Sequence, residues 1–396
     1  MELKKVYEAK EVLKEVIRET DVIYSPKLSK KGNVYLKTEN LQVTGSFKIR
    51  GSYYKISCLK EEEKEKGVIA CSAGNHAQGV ALAATRSGIK SIICLPEGAP
   101  ISKITATKKY GAEICLVKGV YDDAYNKALE LQKEFGYTFI HPFNDEEVIY
   151  GQGTIALEIL EQVKDLDAVI VPVGGGGLIS GIAYTVKQIN PNIKVYGVEA
   201  MGASSMLKSF EYGEVSELSK VSTIADGIAV KKPGDLTYEL CKKYVDEIVT
   251  VTDDEIAAAI LTLMEEQKLI TEGAGATSVA AVMFDKIDIT NKNIVCILSG
   301  GNIDVTILSR IINKGLLMTG RTCKLKIELP DVSGQLNNVT KIIADLGANI
   351  ISIDHERLIE SSNVNSCYLN ITLETKNFKH IHAIKKALMD NEYKLI

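Results

Sequence analysis

The sequence lacks three features that would suggest a specialised class of protein: a large net charge, a paired-cysteine motif and a long hydrophobic run. Its 396 residues carry a formal net charge of only −4, so there is no electrostatic reason to expect nucleic-acid or membrane partners. None of the eight cysteines has the C-x-x-C spacing of zinc or redox sites. No apolar run approaches transmembrane length, and no signal-peptide core follows Met1. We therefore expect a cytoplasmic protein with reduced thiols.

What the sequence does contain is an alternation of strand-like apolar runs with helix-length segments. A hydrophobic fraction of 45% is ordinary for a globular core, and the chain is long enough for two or three domains. The alternation predicts an α/β fold with parallel sheets. A helix is predicted at residues 122–135, and strands are predicted at residues 34–37, 67–71, 91–95, 113–117, 168–173, 194–198 and 291–298.

The pattern changes near residues 314–321, where two glycines and a threonine predict a linker. Beyond it, residues 324–329 alternate strictly between apolar and polar, as expected for a strand with one solvated face. A turn at 330–334 and further periodic segments predict a separate module with the order β-α-β-β-α-β. Its helices are predicted at 335–346 and 380–390, and two more of its strands at 349–353 and 366–373.

Lys48 lies between a turn of small residues and a predicted helix start. A desolvated lysine can form a Schiff base with an aldehyde. Most single lysines are solvated surface charges, so Lys48 alone is weak evidence. Three further segments strengthen the interpretation of Lys48 as a Schiff-base lysine, because each follows an apolar strand-like run.

The first of these segments, residues 72–79, joins a predicted strand to a predicted helix and offers backbone donors for a carboxylate or phosphate. The second, Gly174–Gly177, lets the backbone fold closely around an anion and predicts a phosphate cradle. The third, residues 298–302, places a polar tip at the end of a core strand. A lysine, a carboxylate loop, a phosphate cradle and a polar tip are the contacts that pyridoxal phosphate and an amino-acid substrate require.

On these motifs, residues 5–315 resemble the threonine dehydratases (threonine ammonia-lyases) of the fold type II, or tryptophan-synthase-β-like, family of pyridoxal-phosphate enzymes. The resemblance implies a catalytic domain at 1–315 with two parallel-type sheets and a mobile small subdomain at about 40–140. After a linker at 316–322, residues 323–396 resemble a single ACT domain, a ferredoxin-like regulatory module. It implies an amino-acid or nucleotide effector, and a homodimer or homotetramer.

The resemblance also implies roles for individual residues. Lys48 would anchor the cofactor and act as the catalytic base, Asn75 would hydrogen-bond the phenolic oxygen, and Ser299 would face the pyridine nitrogen. Asn75 could instead be a simple turn residue, and Ser299 a strand-end cap. The predicted cofactor-binding residues are Phe47, Lys48, Asn75, Gly174, Gly175, Gly176, Gly177 and Ser299. The predicted substrate-binding residues are Ser46, Ser72, Ala73, Gly74, Asn75 and His76.

The implied reaction is β-elimination of L-threonine to 2-oxobutanoate and ammonia, with L-serine to pyruvate as a secondary activity. A neutral hydroxyl at Ser299 would leave the pyridine nitrogen largely unprotonated, which favours loss of the β-hydroxyl over transamination. A serine dehydratase or racemase of the same fold is the alternative. Racemases, however, carry a serine where Ala73 stands, and alanine cannot transfer a proton. The residues do not distinguish isoleucine biosynthesis from threonine catabolism.

Two carboxylates have open interpretations. In racemases and some relatives, a Glu, a main-chain carbonyl and an Asp form a cation site. The aligned positions here are Glu199, Ala203 and Ser205. Because hard cations prefer several charged oxygens, we predict no bound metal. Glu272 resembles a family glutamate near the cofactor ring, but a charge at a helix start would look the same.

Two functions of other classes are alternatives. A nicotinamide-dependent dehydrogenase is suggested by the glycine run and by Glu199 at the end of the next strand, but a G-x-G-x-x-G count from Gly175 ends on Ser180. A noncatalytic amino-acid sensor would suit the C-terminal module. The presence of Lys48, Asn75 and Ser299 together argues against it.

Overall fold

The computed structural model describes residues 1–357 and 365–396, and its contacts divide the chain into two compact units, Met1–Asp304 and Val305–Ile396. The strands of the first unit are β1 (Val22–Tyr24), β2 (Asn33–Lys37), β3 (Val68–Cys71), β4 (Ser91–Pro96), β5 (Glu113–Val117), β6 (Thr138–Phe139), β7 (Ala168–Pro172), β8 (Lys194–Ala200), β9 (Glu247–Val251) and β10 (Asn293–Ile297).

The helices of the first unit are α1 (Leu3–Leu13), α2 (Lys48–Ser57), α3 (Glu61–Lys66), α4 (Asn75–Arg86), α5 (Ile101–Lys109), α6 (Tyr121–Phe135), α7 (Glu146–Gln162), α8 (Gly177–Ile189), α9 (Ser205–Tyr212), α10 (Asp235–Tyr244), α11 (Asp253–Thr262) and α12 (Gly273–Met283). Short 3-10 turns lie at Glu39–Leu41, Met201–Ala203 and Asp226–Ile228, and a π-helical turn lies at Leu263–Gln267.

Two sheets organise the first unit. The larger has the spatial order β1-β2-β10-β7-β8-β9 and is parallel except for the antiparallel edge strand β1. The smaller has the order β5-β4-β3-β6 and is parallel throughout. The predicted α/β fold with two parallel-type sheets is therefore confirmed. The predicted strands and the helix at 122–135 are present with small differences at their ends.

The strands at the centre of the larger sheet are buried on both faces. Val169 and Val171 of β7 and Val295 and Ile297 of β10 are inaccessible to solvent and belong to one core cluster. Strands of this kind are continuous apolar runs, which is why they were recognisable in the sequence. In parallel sheets the carboxyl ends of strands open into loops on one edge, and a functional site is expected there.

The second unit contains α13 (Val305–Met318), β11 (Thr322–Pro330), α14 (Gln335–Asp345), β12 (Asn349–Glu356), β13 (Ser366–Glu374), α15 (Phe378–Asp390) and β14 (Lys394–Leu395). Its sheet is antiparallel, with the order β12-β13-β11-β14. After α13, the predicted order β-α-β-β-α-β is confirmed. The alternating side chains of β11 and β13 that face the core pack against α14 and α15.

The predicted linker at 316–322 coincides with the end of α13 and the start of β11. Gly315, one of the residues that suggested a linker, lies inside α13, whereas Gly320 follows the helix with φ +69°. A positive φ at glycine commonly ends a helix. The division between the two units falls after Asp304, so the predicted domain boundaries at 315 and 323 remain predictions. Residues 358–364 of the predicted module lie outside the described residues. Within the described residues, no helix has the length and apolar character to cross a membrane.

Candidate active site

Lys48 is the first residue of α2, and the segment before it is hydrogen-bonded to the loop after β10. The Phe47 N–H donates to the Ser299 carbonyl at 3.1 Å. Ser46 pairs with Gly300 in an antiparallel bridge. The structure thus brings the predicted lysine segment and the predicted polar tip together, although they are about 250 residues apart in the sequence.

The Lys48 amine is partly buried, and its Nζ donates to the Pro142 carbonyl at 2.9 Å. Burial lowers the pKa of Lys48 to about 8, and the carboxylate of Glu272 opposes that shift. A lysine with this pKa is a free amine far more often at neutral pH than a solvated lysine is. The free amine is the form that acts as nucleophile or base.

A buried ion-pair network holds the first turn of α2. The Arg50 guanidinium donates to Glu39 at 2.7 Å and to Glu158 at 2.5 Å, and Lys37 donates to Glu158 at 2.6 Å. All four side chains are almost inaccessible to solvent. Loss of one partner would leave an unpaired buried charge, so the network fixes the backbone that carries Lys48. The sequence alone does not reveal this network, because its members are far apart in the chain.

Gly174–Gly176 lie in the loop between β7 and α8, and Gly177 is the first residue of α8. Gly176 has φ +92°, and a Cβ added to Gly175 would lie 2.3 Å from Cδ1 of Phe143. A Cβ added to Gly177 would lie 2.8 Å from the Phe143 backbone. Only glycine fits these positions, and unpaired N–H groups at the start of α8 suit an anion. The loop fits the phosphate of pyridoxal phosphate.

Pro142 and Phe143 connect the lysine to the glycine loop, a role that the sequence reasoning missed. Pro142 accepts the Lys48 hydrogen bond, and Phe143 packs on Gly175 and Gly177. His141 fixes this turn, because its Nδ1 accepts from the N–H groups of Phe143 at 3.2 Å and Asn144 at 2.8 Å. Burial lowers the pKa of His141 to about 4, which keeps its ring neutral and able to accept.

Asn75 begins α4 and is hydrogen-bonded to residues from two other loops. Its Nδ2 donates to Glu272 Oε1 at 2.7 Å, and its Oδ1 accepts from Asn302 Nδ2 at 2.8 Å. Asn302 also donates to the Thr44 carbonyl at 2.8 Å, just before the lysine segment. The structure therefore places Asn75 beside the segment that precedes Lys48, and its hydrogen bond to the phenolic oxygen stays a prediction. No individual role is predicted for Asn302 from the sequence, although it lies in the segment 298–302 that is predicted as a polar tip.

Glu272 directly precedes α12, but its carboxylate makes no capping hydrogen bond to that helix. The group is directed towards Asn75 instead. Burial raises the pKa of Glu272 to about 7, Asp226 adds to the shift, and the Asn75 hydrogen bond opposes it. Of the two interpretations left open, these contacts favour a place in the site over a helix-start charge.

The predicted substrate loop lies between β3 and α4. The Gly74 N–H donates to Ser72 Oγ at 3.1 Å, which closes a tight turn around Ala73. His76 is buried, and its Nε2 lies 2.8 Å from the Ile140 carbonyl. Burial lowers the pKa of His76 to about 3, so its side chain is neutral and faces the interior. A substrate contact from His76 would use its backbone N–H.

Glu199 caps α9. Its two carboxylate oxygens accept from the N–H groups of Met206 at 2.9 Å and Leu207 at 2.8 Å, and burial raises the pKa of Glu199 to about 8. A carboxylate occupied in this way is not free to bind a ribose hydroxyl, which counts against the dehydrogenase alternative. The prediction that no metal binds at Glu199, Ala203 and Ser205 stays a prediction.

A family model described as "Pyridoxal-phosphate dependent enzyme" matches residues 13–300. The chain belongs to this family. The predicted cofactor, pyridoxal phosphate, and the prediction of an enzyme are thereby confirmed, and the dehydrogenase and noncatalytic-sensor alternatives are not supported.

Relatives within the pyridoxal-phosphate family are similar over most of the chain. An L-threonine ammonia-lyase of Thermotoga maritima is 49% identical over 395 residues, covering 99% of this chain and 98% of the relative. Among solved structures, the processed form of threonine deaminase isoform 2 from Solanum lycopersicum is 41% identical with a TM-score of 0.74, covering 79% of this chain and 94% of that one. Maize serine racemase is 36% identical with a TM-score of 0.75, covering 80% and 98%.

Proposed function

We propose that this enzyme converts L-threonine to 2-oxobutanoate and ammonia by β-elimination, and L-serine to pyruvate as a secondary activity. The observation that carries the proposal is the setting of the Lys48 amine. It is hydrogen-bonded to Pro142, whose neighbour Phe143 packs on the glycine loop, and its pKa responds to Glu272, the partner of Asn75. The similarity to an L-threonine ammonia-lyase along nearly the whole chain supports the choice of substrate.

Each group of residues has a separate task in this proposal. Gly174–Gly177 and the start of α8 bind the phosphate of the cofactor, and Phe143 shapes that loop. Bound pyridoxal phosphate supplies an electron sink for the charge that develops at the substrate Cα. The loop at 72–76, with backbone donors at the start of α4, binds the substrate carboxylate.

Proton transfer is assigned to Lys48. Its lowered pKa raises the fraction of free amine at neutral pH above that of a solvated lysine, and Nζ in that form takes the α-proton of the substrate. Ser46 and Phe47 are held against the segment after β10, so the position of Nζ is set by backbone pairing. Ser299, in the segment after β10, would present a neutral hydroxyl to the pyridine nitrogen of bound pyridoxal phosphate.

Serine dehydration or racemisation is the second candidate, and the similarity to maize serine racemase favours keeping it. Racemisation needs a second proton-transfer group on the opposite face of the substrate. Ala73 stands where racemases carry a serine, and its methyl group cannot supply that proton. Elimination is therefore the preferred reaction.

We further propose that residues 323–396, within the second unit, form a regulatory ACT domain that responds to an amino acid or a nucleotide, within a homodimer or homotetramer. The order β-α-β-β-α-β and the antiparallel sheet support this proposal. A pocket of about 200 Å³ lies at the turn 330–334, and Arg357 at its edge offers a charge for a carboxylate. The metabolic role, in isoleucine biosynthesis or in threonine catabolism, would follow from the identity of the effector.

The test is threonine-dependent release of ammonia and 2-oxobutanoate by the wild-type enzyme and by Lys48→Ala. The variant should lose at least about 10³-fold in rate, as expected for removal of a proton-transfer group, and its covalently held cofactor. Lys14→Ala changes an exposed lysine on the surface and serves as the control. Turnover of threonine by Lys48→Ala at the wild-type rate would overturn the assignment, and D-serine as the main product from L-serine would favour the second candidate.

A further inference from the structure

We propose that Asp331, His355 and Cys367 form a binding site for a soft divalent cation of the zinc class in the second unit. One ligand atom from each side chain, a carboxylate oxygen, an imidazole nitrogen and a thiol sulfur, lies within 4.8 Å of the other two. The site is separate from the catalytic residues and does not depend on the proposed reaction. The proposal departs from the prediction of no bound metal, which was argued from the residues near Glu199.

The three residues meet at one end of the antiparallel sheet. Cys367, near the start of β13, lies opposite Leu329 of β11, and its thiol donates to the Leu329 carbonyl at 3.6 Å. Asp331 follows two residues later, immediately beyond the end of β11. His355 lies near the end of β12, opposite Leu369 of β13. Each ligand therefore comes from a different strand or strand end, which is a rigid framework for a metal site.

An irregularity in β12 gives His355 its position. The register between β12 and β13 shifts by one residue between Ile350 and Ser352. A bulge of this kind reverses which residues of a strand face the core. Beyond the shift, His355 shares the face of Leu369 and Cys367, whereas an unbroken register would place its two sequence neighbours there instead.

The ligand types select the class of ion. Zinc is bound by combinations of thiolate, imidazole and carboxylate, whereas magnesium and calcium prefer oxygen ligands only. In a tetrahedral zinc site the ligand atoms lie about 3.3–3.8 Å apart, as follows from bond lengths of about 2.0–2.3 Å. The separations here are at most 4.8 Å, and rotation of the two exposed side chains, Asp331 and His355, can bring the ligand atoms to the zinc-site spacing.

The surroundings leave room for an ion and for a further ligand. All three side chains line the pocket of about 200 Å³ at the turn after β11. Arg357 contacts Asp331 with an Nε–Oδ1 distance of 3.3 Å, and its side chain is 65% exposed, so it can rotate away when a cation binds. Three protein ligands leave a coordination position open towards the pocket, which water can fill.

The test uses cobalt(II) as a spectroscopic substitute for zinc in the full-length, cofactor-loaded enzyme. After chelator treatment, cobalt is titrated and difference spectra are recorded against the same sample without cobalt. A sulfur-to-cobalt charge-transfer band that saturates at about one equivalent per chain, and disappears when zinc is added, is expected from a site containing a cysteine. The control variants Cys323→Ser, in β11 of the same sheet, and His382→Gln, on α15, should retain the band.

Cys367→Ser should abolish the band. Because Cys367 is buried and that variant could disturb the sheet, His355→Gln provides a second test at an exposed position. It should retain the band while losing at least about tenfold in cobalt affinity. Absence of the band in the wild-type enzyme, or weak binding that none of the ligand substitutions changes, would mean an adventitious ion only and would overturn the proposal.

Discussion

The side chain of Asn75 donates a hydrogen bond to Glu272 at 2.7 Å and so joins the start of α4 to the start of α12. Asn302 donates to the side-chain oxygen of Asn75, so the two hydrogen bonds together fix the orientation of the Asn75 amide group. An asparagine amide nitrogen carries two N–H groups, and Glu272 uses one of them. The second remains for the cofactor, so the orientation that its predicted role requires is set by protein contacts alone.

Glu272 should make the stability of the cofactor-free protein depend on pH. Its pKa of about 7 in the folded protein lies above its ordinary value of 4.5, so the folded state binds this proton more tightly than the unfolded chain does. The resulting stabilisation is complete below the unfolded pKa and is lost as pH rises through the folded pKa. It amounts to about 3 kcal/mol at most.

Glutamine cannot titrate, so Glu272→Gln should remove this dependence. We expect the difference in melting temperature, wild type minus Glu272→Gln, to decrease as pH rises from about 5 to about 8. Calorimetry of both proteins measures this difference. Glu62→Gln, at an exposed position on α3, should show a constant difference from the wild type. A constant difference for Glu272→Gln as well would show that its carboxyl group does not titrate in this range.

Gly175→Ala should weaken cofactor binding. The added Cβ would lie 2.3 Å from the ring of Phe143, so the ring or the loop must move and the phosphate cradle is disturbed. We expect a loss of at least about tenfold in affinity, or about 1.4 kcal/mol, when pyridoxal phosphate is titrated into the cofactor-free protein. Gly98→Ala, where a Cβ would meet no atom within 4 Å, is the control. Equal affinities for the two variants would count against the loop as the phosphate site.

Elements that are encoded within a short stretch of the sequence can be predicted from that stretch alone. β7 and β10 were recognisable because both faces of each strand are buried and their sequences are continuously apolar. The glycine loop and the Lys48 segment were also visible, since each lies between a strand-like and a helix-like pattern. Local patterns of this kind are sufficient to predict the fold class and the segments that form the candidate site.

Other features depend on contacts between distant segments and had no such signal. Phe143 is an ordinary residue in a turn until the fold packs it on Gly175. Arg50 is a charge in a helix until Glu39 and Glu158 surround it. The register shift in β12 is likewise invisible in the sequence, and the strand predicted to end at residue 353 continues to Glu356.

Ala73→Ser should add a racemase activity. Wild-type enzyme given L-serine should produce pyruvate with almost no D-serine, because Ala73 has no proton to transfer. The hydroxyl introduced at this position, in the loop between β3 and α4, should raise the ratio of D-serine to pyruvate at least about tenfold. Chiral chromatography of the products measures the ratio, and Ser72→Ala, which removes a neighbouring hydroxyl, is the comparison variant. Substantial D-serine from the wild type would mean that another residue supplies the second proton.

The last prediction concerns regulation by the second unit. Chains truncated after Gly315, the predicted domain end, and after Asp304, the end of the first unit by its contacts, should both bind cofactor and turn over threonine. Neither should respond to an effector. An effector alters activity only by binding one conformation of the assembly better than another, and such coupling is typically about 1 to 3 kcal/mol, or roughly 5- to 150-fold in affinity.

Threonine titrations of the full-length and truncated chains, each with isoleucine, valine and an adenine nucleotide, measure this coupling. The full-length enzyme should show a shift in its threonine dependence with at least one of these compounds, and the shift should be absent from both truncated chains. Sedimentation of the same samples separates loss of regulation from loss of assembly. If the full-length enzyme ignores every compound and the truncated chains only dissociate into smaller oligomers, the second unit serves assembly instead of regulation, because an oligomerising module stabilises the complex without distinguishing its conformations.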